Sequence, residues 1–304
     1  MSGAALEQLR PAAFAIAYRM LGSVAEAEDV VQEALLRVHR ALEQGERIES
    51  PRAYVATVAT RLAIDVLRSA RARRETYVGE WLPEPLVGDA ADDPARHAEL
   101  ADSLSLAFLV LLESLSTEQR AALLLRDVFD YGYGEIARIV GTSESNARQL
   151  ASHARRHVAE RRPRFEASRS RRDELARRFF AAARDGDVAA LEALLADDVV
   201  LHGDGGGRVP ALARSLHGRE RVARTLLAWA RQGLRVARAT FRAVQVNGQP
   251  GALGLDREGR LISVMALDVA DGRIQSVSSI VNPDKLRHVG DVGDMRALLS
   301  HRDG

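Results

Sequence analysis

The sequence changes from helical to hairpin character near Asp173, and this change excludes one uniform fold. Upstream, the segments with apolar periodicity are helical. Downstream, extended segments at 235–246, 251–256, 260–269 and 273–281 are separated by Asn-Gly, Glu-Gly and Asp-Gly pairs, which is typical of antiparallel hairpins. The 304 residues suffice for two or three domains. We therefore predict a multidomain protein in which all-α domains precede an α+β domain.

Composition limits the class of protein. The chain contains no cysteine, which excludes disulfides and thiolate metal sites. Its longest apolar run, Leu106–Leu112, is too short to span a membrane. The N-terminal residues lack the pattern of an export signal. We expect a soluble cytoplasmic protein without membrane insertion, cofactor or metal, and a monomer when free.

The charge distribution is more informative than the net charge of +1. Arginines cluster at 68–74 and at 155–178, and acidic residues lie between them, from Glu80 to Glu99. This alternation predicts basic surfaces joined by an acidic connector. Solvated helix faces rich in arginine are the alternative interpretation.

A helix-turn-helix is predicted from Glu135–Val140, a turn at Gly141, and Glu144–Glu160. A capping box of Ser116 and Gln119 predicts the start of an earlier helix. The outer face of the second helix of the motif carries donors and cations suited to major-groove edges and phosphates. They are Ser145, Arg148, Gln149, Ser152, Arg155 and Arg156. An amphipathic surface helix is the alternative.

A second basic helix is predicted to begin at Ser50-Pro51 and to end in an arginine cluster. Its aromatic and basic side chains suit single-stranded or partly melted DNA. They are Tyr54, Arg61, Arg68, Arg71, Arg73 and Arg74. A solvated charge run, with the tyrosine in the core, is the alternative.

These segments resemble the sigma-70 family of RNA polymerase initiation factors. Residues 25–35, AEAEDVVQEAL, are similar to the region-two signature, and 52–68 are similar to the helix that melts and reads the promoter, which adds Asp65 to its DNA-binding set. Residues 115–129 and 135–137 resemble region four. The resemblance covers residues 5–162 and lacks regions one and three, as in the extracytoplasmic-function group. It implies as partners promoter DNA and the clamp helices and flap of core polymerase, with Asp29, Gln32, Glu33 and Arg37 binding the core enzyme.

Three short motifs, at 81–85 (WLPEP), 204–208 (DGGGR) and 282–286 (NPDKL), resemble those of one subgroup with a fused SnoaL-like domain, a cone-shaped α+β fold that is thought to tune sigma activity. Many family members have Asn at the position of Arg61, and Lys is also common at that of Arg208. The implied domains are region two at 1–75, a linker at 76–103, region four at 104–164, the SnoaL-like domain at 172–290 and a tail at 291–304. The motifs comprise Trp81, Leu82, Pro83, Glu84 and Pro85; Asp204, Gly205, Gly206, Gly207 and Arg208; and Asn282, Pro283, Asp284, Lys285 and Leu286.

Each motif also has a local interpretation. Prolines stiffen the apolar Trp81-Leu82 strip into a good docking peptide, but the tryptophan also fits a simple anchor to its neighbouring helical domain. The three glycines permit close approach of another segment, but they also fit an ordinary turn. We hypothesise that the motifs meet at one regulatory contact, with Lys285 bridging to Asp204 or to acids of the linker.

The C-terminal domain is predicted from helices at 173–184, 187–196 and 219–231, a glycine-rich loop at 202–208, and the hairpins. Its pocket is a candidate site for an unknown small ligand. An acid–base enzyme would draw on His202, Asp204 and His217, but their spacing forms no catalytic set. We predict a sigma factor and not an enzyme. The rivals are a stand-alone helix-turn-helix regulator, which usually needs a dimer, and a SnoaL-type enzyme with an accessory DNA-binding part.

Overall fold

The structure is a computed structural model that describes residues 6–75, 77–88, 104–160, 168–234 and 238–300, without the side chains of 70–75 and 299–300. The chain forms two compact units. We call Met1–Thr76 with Leu111–Arg162 the helical unit, and Tyr77–Val110 with Pro163–Gly304 the C-terminal unit. None of the helices in these described ranges is both long and apolar enough to cross a membrane.

The described residues of the helical unit form six helices, and a seventh begins among residues of the C-terminal unit. Residues of both predicted sigma regions therefore pack in one unit. In chain order the helices are α1 (Arg10–Leu21), α2 (Val24–Glu43), α3 (Pro51–Glu75), the connecting α4 (Leu106–Leu112), α5 (Thr117–Asp127), α6 (Tyr133–Val140) and α7 (Glu144–Ala159).

Local sequence signals explain where these helices begin and end. The α5 capping box is present, because Ser116 Oγ accepts from the Gln119 amide at 3.2 Å and Gln119 Oε1 accepts from the Ser116 amide at 3.0 Å. Gly141 ends α6 with a φ of 79°, which permits the sharp turn into α7. The predicted helix-turn-helix is thus formed.

The described residues of the C-terminal unit form a seven-stranded sheet, ordered β1-β4-β5-β6-β7-β2-β3, together with helices. Only the β2–β7 pairing is parallel among those described. Its elements are β1 (Val87–Gly88), α8 (Arg169–Asp185), α9 (Val188–Leu194), β2 (Leu195–Asp204), β3 (Leu216–His217), α10 (Arg219–Gln232), β4 (Thr240–Val246), β5 (Gln249–Leu255), β6 (Leu261–Ala270), β7 (Arg273–Ile280), a 3₁₀ turn (Pro283–Lys285) and α11 (Met295–Ser300).

Two hydrophobic layers cover the faces of this sheet. On one face, side chains of α8, α9 and α10 pack on β2, β6 and β7 around Phe179, Leu226 and Val277. On the other, Leu82 and Leu106 pack against β4, β5, β6 and β7. The second layer therefore includes side chains from Tyr77–Val110, the part of the C-terminal unit that follows α3 in sequence.

The helix-then-hairpin architecture matches the predicted α+β class, but the first three described strands, β1, β2 and β3, were not predicted. Residues 195–196 were assigned to the end of a helix, and His202 to Asp204 to a glycine-rich loop; all of them lie on β2. The β-branched Val199 and Val200 favour this strand, and its parallel partner β7 lies more than seventy residues away in sequence.

The segment predicted as a linker also differs from expectation in its described part. Residues 77–88 belong to the C-terminal unit, where Val87 and Gly88 pair with the edge strand β4. Burial of Leu82 and pairing to an open sheet edge give this segment more contacts than a solvated connector would have.

Candidate functional surfaces

The predicted polymerase-binding residues lie on one side of α2. Asp29, Gln32 and Arg37 are exposed, and half-buried Glu33 accepts from Arg37 at 2.7 Å. Leu36 lies beside them and is 40% exposed, although it is a large apolar residue. We did not single out Leu36 from the sequence; its position outside the buried stripe of α2 is the signal that identifies it.

The predicted promoter-melting helix α3 contacts the helix-turn-helix within the helical unit. Arg61 donates to the main-chain oxygens of Arg138 at 2.7 Å and Ile139 at 3.3 Å, at the C-terminal end of α6. A cation is favoured there by the helix dipole. Arg68 pairs with Glu118 at 3.0 Å. Two predicted DNA-binding arginines thus have protein partners in this arrangement.

Tyr54 and Asp65 are the other predicted DNA-binding residues of α3 whose side chains are described. Tyr54 is half-buried and Asp65 is exposed, with Asp65 3.8 Å from Arg68. The side chains of Arg71, Arg73 and Arg74 lie outside the described residues.

A buried arginine reinforces the contact between the two sigma regions. Arg120, on α5, is 3% exposed and donates to the main-chain oxygens of Met20 at 2.5 Å and Leu112 at 3.1 Å. It also pairs with Glu113 at 2.6 Å. Nothing local in the sequence distinguishes this arginine from a solvated one.

The predicted recognition face of α7 is exposed at all six positions, and its arginines differ in their contacts. Arg148 pairs with Glu144 at 2.9 Å and lies 4.7 Å from the Tyr133 ring centre. Arg155 binds Asp127 through two donors, and these hydrogen bonds raise its pKa above the ordinary value. In the described part of the chain, Ser145, Gln149, Ser152 and Arg156 have no side-chain hydrogen bond.

The three short motifs converge in the C-terminal unit on buried Asp204. Its carboxylate accepts from the Tyr77 hydroxyl at 2.6 Å, the Leu82 amide at 2.9 Å and Lys285 Nζ at 2.6 Å. A buried carboxylate needs this many donors. We call the contact formed by Tyr77, Trp81, Leu82, Asp204, Asn282 and Lys285 the latch.

Lys285 is the cation of the latch. It is 6% exposed, donates to the Leu82 main-chain oxygen, and lies 4.3 Å from the Trp81 ring centre and 5.0 Å from that of Tyr77. These cation–π contacts suit a desolvated ammonium. Burial, followed by the hydrogen bond to Asp204, raises the pKa of Tyr77, which keeps its hydroxyl a donor.

The glycines of the second motif permit a close approach that a larger residue would block. A Cβ on Gly205 would lie 2.0 Å from the Val209 main-chain oxygen, and one on Gly206 would lie 2.2 Å from Asn282 Nδ2. Asn282 Nδ2 also donates to the Tyr77 hydroxyl at 2.9 Å. A Cβ on Gly207, whose φ is 70°, would meet Val78 at 3.1 Å.

The remaining motif residues surround the latch. Pro83, Pro85 and Leu286 are buried and Glu84 is half-buried. Arg208 and Asp284 are exposed and lie 3.4 Å apart. A solvated pair of this kind contributes little to stability.

We call Tyr77–Val110, which belongs to the C-terminal unit, the connector. Two residues that hold it were not identified from the sequence. Glu80 Oε1 contacts His202 Nδ1 at 2.6 Å and accepts from Ser215 at 2.9 Å. Burial raises the pKa of Glu80, but these hydrogen bonds outweigh it and leave the pKa below the ordinary value. Asn247 was assigned only to a turn.

Asn247 holds both described ends of the connector. Its Oδ1 accepts from the Leu86 amide and its Nδ2 donates to the Leu104 main-chain oxygen, each at 2.8 Å. Its φ of 52° places it in the turn between β4 and β5. The pattern of Asn followed by Gly predicts the turn, but no sequence signal predicts these long-range hydrogen bonds.

The three candidate acid–base residues of the C-terminal unit do not form a catalytic group. His202 contacts Glu80, Asp204 holds Lys285, and His217 is exposed on β3. None of them lines the large cavity on the opposite face of the sheet.

Three family models match successive parts of the chain. Residues 5–73 match sigma-70 region 2, residues 105–158 match sigma-70 region 4, and residues 176–279 match a SnoaL-like domain.

Similar proteins match over nearly the whole chain. The extracytoplasmic-function RNA polymerase sigma factor SigJ of Mycobacterium tuberculosis is 39% identical over 290 residues, which cover 92% of this chain and 91% of SigJ. The probable sigma factor SigI of that organism is 33% identical over 278 residues, covering 89% and 90%. The crystal structure of M. tuberculosis SigJ superposes with a TM-score of 0.76 at 36% identity, covering 94% of this chain and 98% of that one.

Proposed function

Because the chain belongs to the extracytoplasmic-function group of RNA polymerase sigma factors, we propose that its C-terminal unit regulates initiation by holding the connector between the two sigma regions. The single observation that carries this proposal is the latch, in which Tyr77 and Leu82 of the connector bind Asp204 of the sheet.

Because the connector lies between the two sigma regions in sequence, the latch would limit how far they can separate. Tyr77 follows α3 by two residues, and Leu104 precedes the region-four helices. While residues 77–88 and 104–110 lie on the sheet, they cannot extend between the promoter-melting helix and the helix-turn-helix. If residues 77–88 alone were released, they could extend the chain that follows α3 by roughly 40 Å, at about 3.3 Å per residue.

The proposed roles of the helical unit follow from its exposed surfaces. The α2 surface with Asp29, Gln32 and Leu36 would contact core polymerase, since it lies within the residues that match sigma-70 region 2. The face of α7 that carries Gln149 and Arg156 would read upstream duplex edges. The basic side of α3 would hold melted promoter DNA. Chemistry would belong to the polymerase, in the cytoplasm.

In vitro transcription with purified bacterial core polymerase tests this function. The template is the promoter of a neighbouring gene, and the full chain is compared with versions ending at Arg164 and at Leu286. We expect transcripts that depend on the added chain, and more transcript from a Lys285→Met variant in which the latch is broken. Core polymerase alone is the control.

The outcomes separate the two parts of the proposal. No transcript with any version, together with no binding to core polymerase, contradicts the polymerase role. Transcription that is identical for the native chain and Lys285→Met contradicts regulation by the latch.

A further inference from the structure

A pocket of about 350 Å³ lies beside the glycine-rich loop of the second motif. Its described lining comes from three parts of the C-terminal unit: Val78 and Gly79 of the connector, residues 205 and 207–213, and Arg296 of α11. Unlike the large apolar cavity beside α8 and α10, this pocket has no aromatic side chain in its described lining. A pocket of this size holds a small molecule.

The charged side chains of the described lining are all basic. They are Arg208 and Arg296, both exposed to solvent, and no carboxylate accompanies them in the described lining. Two like charges that share a pocket repel each other and create a positive potential, which attracts an anion. The lining therefore points to a negatively charged ligand.

Neither arginine is strongly held by a carboxylate of the described residues. Arg296 has no ion pair among them. Arg208 Nε lies 3.4 Å from Asp284 Oδ2, and Asp284 is bound more closely by Arg287, at 2.8 Å. A solvated pair contributes little to stability, so the Arg208 guanidinium can turn to a stronger acceptor. Among anions, a phosphate group matches the paired N–H groups of a guanidinium.

Main-chain amides of the loop add donors to the pocket. The amides of Gly207, Ala211 and Ala213, which all line it, form no hydrogen bond to the described residues. Gly206 and Gly207 have φ of 59° and 70°. Successive N–H groups in turns of this kind form concave binding sites for anions. The loop thus supplies the same kind of donor as the two arginines.

The rest of the lining is mainly apolar. Val78 is 67% exposed although it is a large apolar residue, and Pro210 and Leu212 line the same pocket. A ligand whose organic part lies next to its phosphate would remove this apolar surface from water, which is favourable. The combination of lining residues suits a phosphate ester better than a free inorganic ion.

We infer that this pocket binds a small phosphate monoester, whose phosphate contacts Arg208, Arg296 and the loop amides and whose organic part contacts Val78 and Pro210. The ligand joins the connector, the glycine-rich loop and α11, and so strengthens the docking of the connector beside the latch. The binding site stands on the pocket alone, whereas an effect of the ligand on transcription rests on the proposed function.

Amide NMR of the full chain tests the site. Phenyl phosphate and inorganic phosphate are the probes, and chloride keeps the ionic strength constant. We expect saturable shifts of the Gly79, Gly207 and Ala211 amides. Phenyl phosphate should bind about fivefold more tightly than inorganic phosphate, because its ring covers apolar lining. Phenol, which lacks the charge, should produce no saturable shift. The absence of saturable shifts with either phosphate probe overturns the site.

Matched variants locate the binding. Arg208→Gln and Arg296→Gln should each weaken the binding of phenyl phosphate about tenfold, the value of a hydrogen bond between charged groups. Arg287→Gln is the control, because Arg287 also pairs with Asp284 but does not belong to the described lining. Ala213→Glu should abolish saturable binding, since its carboxylate would occupy the arginines, whereas the similarly sized Ala213→Gln should retain it. Equal weakening by all three arginine changes would indicate general attraction between charges and would overturn the assigned site.

The DNA backbone is another source of phosphate groups. We expect a short DNA duplex to leave the phenyl phosphate shift of the Gly207 amide unchanged, because a duplex is too wide to enter a pocket of this size. If the duplex displaces phenyl phosphate from Gly207, the inference of a small-molecule ligand is wrong and the pocket is a contact for DNA.

Hydrogen exchange tests the effect on the connector separately from transcription. The Leu82 amide donates to Asp204, so saturating phenyl phosphate should slow its exchange severalfold in the native chain and leave it unchanged in Arg296→Gln. Phenyl phosphate that binds without any change at Leu82 overturns the effect on the connector. If the chain binds phenyl phosphate as expected but supports no transcription, the result contradicts the proposed function alone.

Discussion

Lys285 is the residue on which the latch depends most. Its side chain is 7% exposed and that of Asp204 is fully buried, so removing the cation leaves an unpaired buried carboxylate. We expect Lys285→Met to lower the free energy of unfolding of the C-terminal unit by about 3–5 kcal/mol. Urea unfolding followed by tryptophan fluorescence measures this, because both tryptophans, Trp81 and Trp229, lie in that unit.

The control for this variant is Arg208, which belongs to the same motifs and forms a solvent-exposed ion pair. Arg208→Met removes one of the two exposed arginines that pair with Asp284, the other being Arg287 at 2.8 Å, and we expect a change in unfolding free energy of no more than about 0.5 kcal/mol. If Lys285→Met and Arg208→Met lower the free energy of unfolding by similar amounts, Lys285 does not contribute more to stability than a solvated arginine does.

Asp268 gives the C-terminal unit a pH dependence of known sign. Burial raises its pKa to about 6, although the Ser276 hydroxyl donates to Oδ2 at 2.7 Å and lowers it in part. A carboxyl whose pKa is raised binds its proton more tightly in the folded chain than in the unfolded chain. Its contribution to the free energy of unfolding is therefore fully present below pH 4 and is lost as the pH rises to about 6. The loss is about 3 kcal/mol.

The pH dependence of an Asp268→Asn variant isolates this group. Glu80 and Asp256 have lowered pKa values and act in the opposite direction, but they are present in both chains and cancel in the difference. We expect the native chain to lose stability relative to Asp268→Asn between pH 4 and 6.5 in urea unfolding. Parallel curves would show that Asp268 is ionised throughout.

At the scale of elements, local patterns predicted most of the structure. Hydrophobic periodicity and caps predicted the helix-turn-helix, and Asn-Gly and Asp-Gly pairs predicted turns in which Asn247 and Asp271 have φ of 52° and 51°. Strand β2 was missed because its main partner β7 is remote in sequence. The docking of residues 77–88 was missed for the same reason, since a Pro-rich acidic segment is extended whether or not a sheet edge receives it.

The turn between β4 and β5 provides a test of how the connector is held. Asn247→Gly retains the positive φ of the turn but removes the side chain that binds Leu86 and Leu104. We expect hydrogen exchange of the Leu86 amide to become about tenfold faster, which corresponds to ~1.4 kcal/mol. Asp271→Gly makes the same change in the turn between β6 and β7 and should leave Leu86 unaffected. If the Leu86 amide exchanges at the same rate in both variants, the Asn247 side chain does not hold the connector and its role is confined to the turn.

At the scale of the whole molecule, one set of contacts joins the two sigma regions and another holds the segment that follows α3. Arg61 and Arg120 join α3 and α1 to the region-four helices within the helical unit, and the latch holds the connector on the C-terminal unit. Arg61 binds the C-terminal end of α6 through its guanidinium. We interpret it as a residue that closes the two regions on each other, in addition to its predicted contact with DNA.

Opening of this contact on polymerase is the remaining prediction. The chain has no cysteine, so spin labels on Asp65→Cys and Gly134→Cys report only the α3–α6 distance. We expect a short, narrow distribution for the free chain and a longer one with core polymerase, because α3 cannot hold melted DNA while Arg61 and Arg68 bind region four. Labels on Asp65→Cys and Gln32→Cys, both within region two, should not move. An Arg61→Ala change should broaden the α3–α6 distribution before polymerase is added, and an unchanged distance in the complex would contradict the opening.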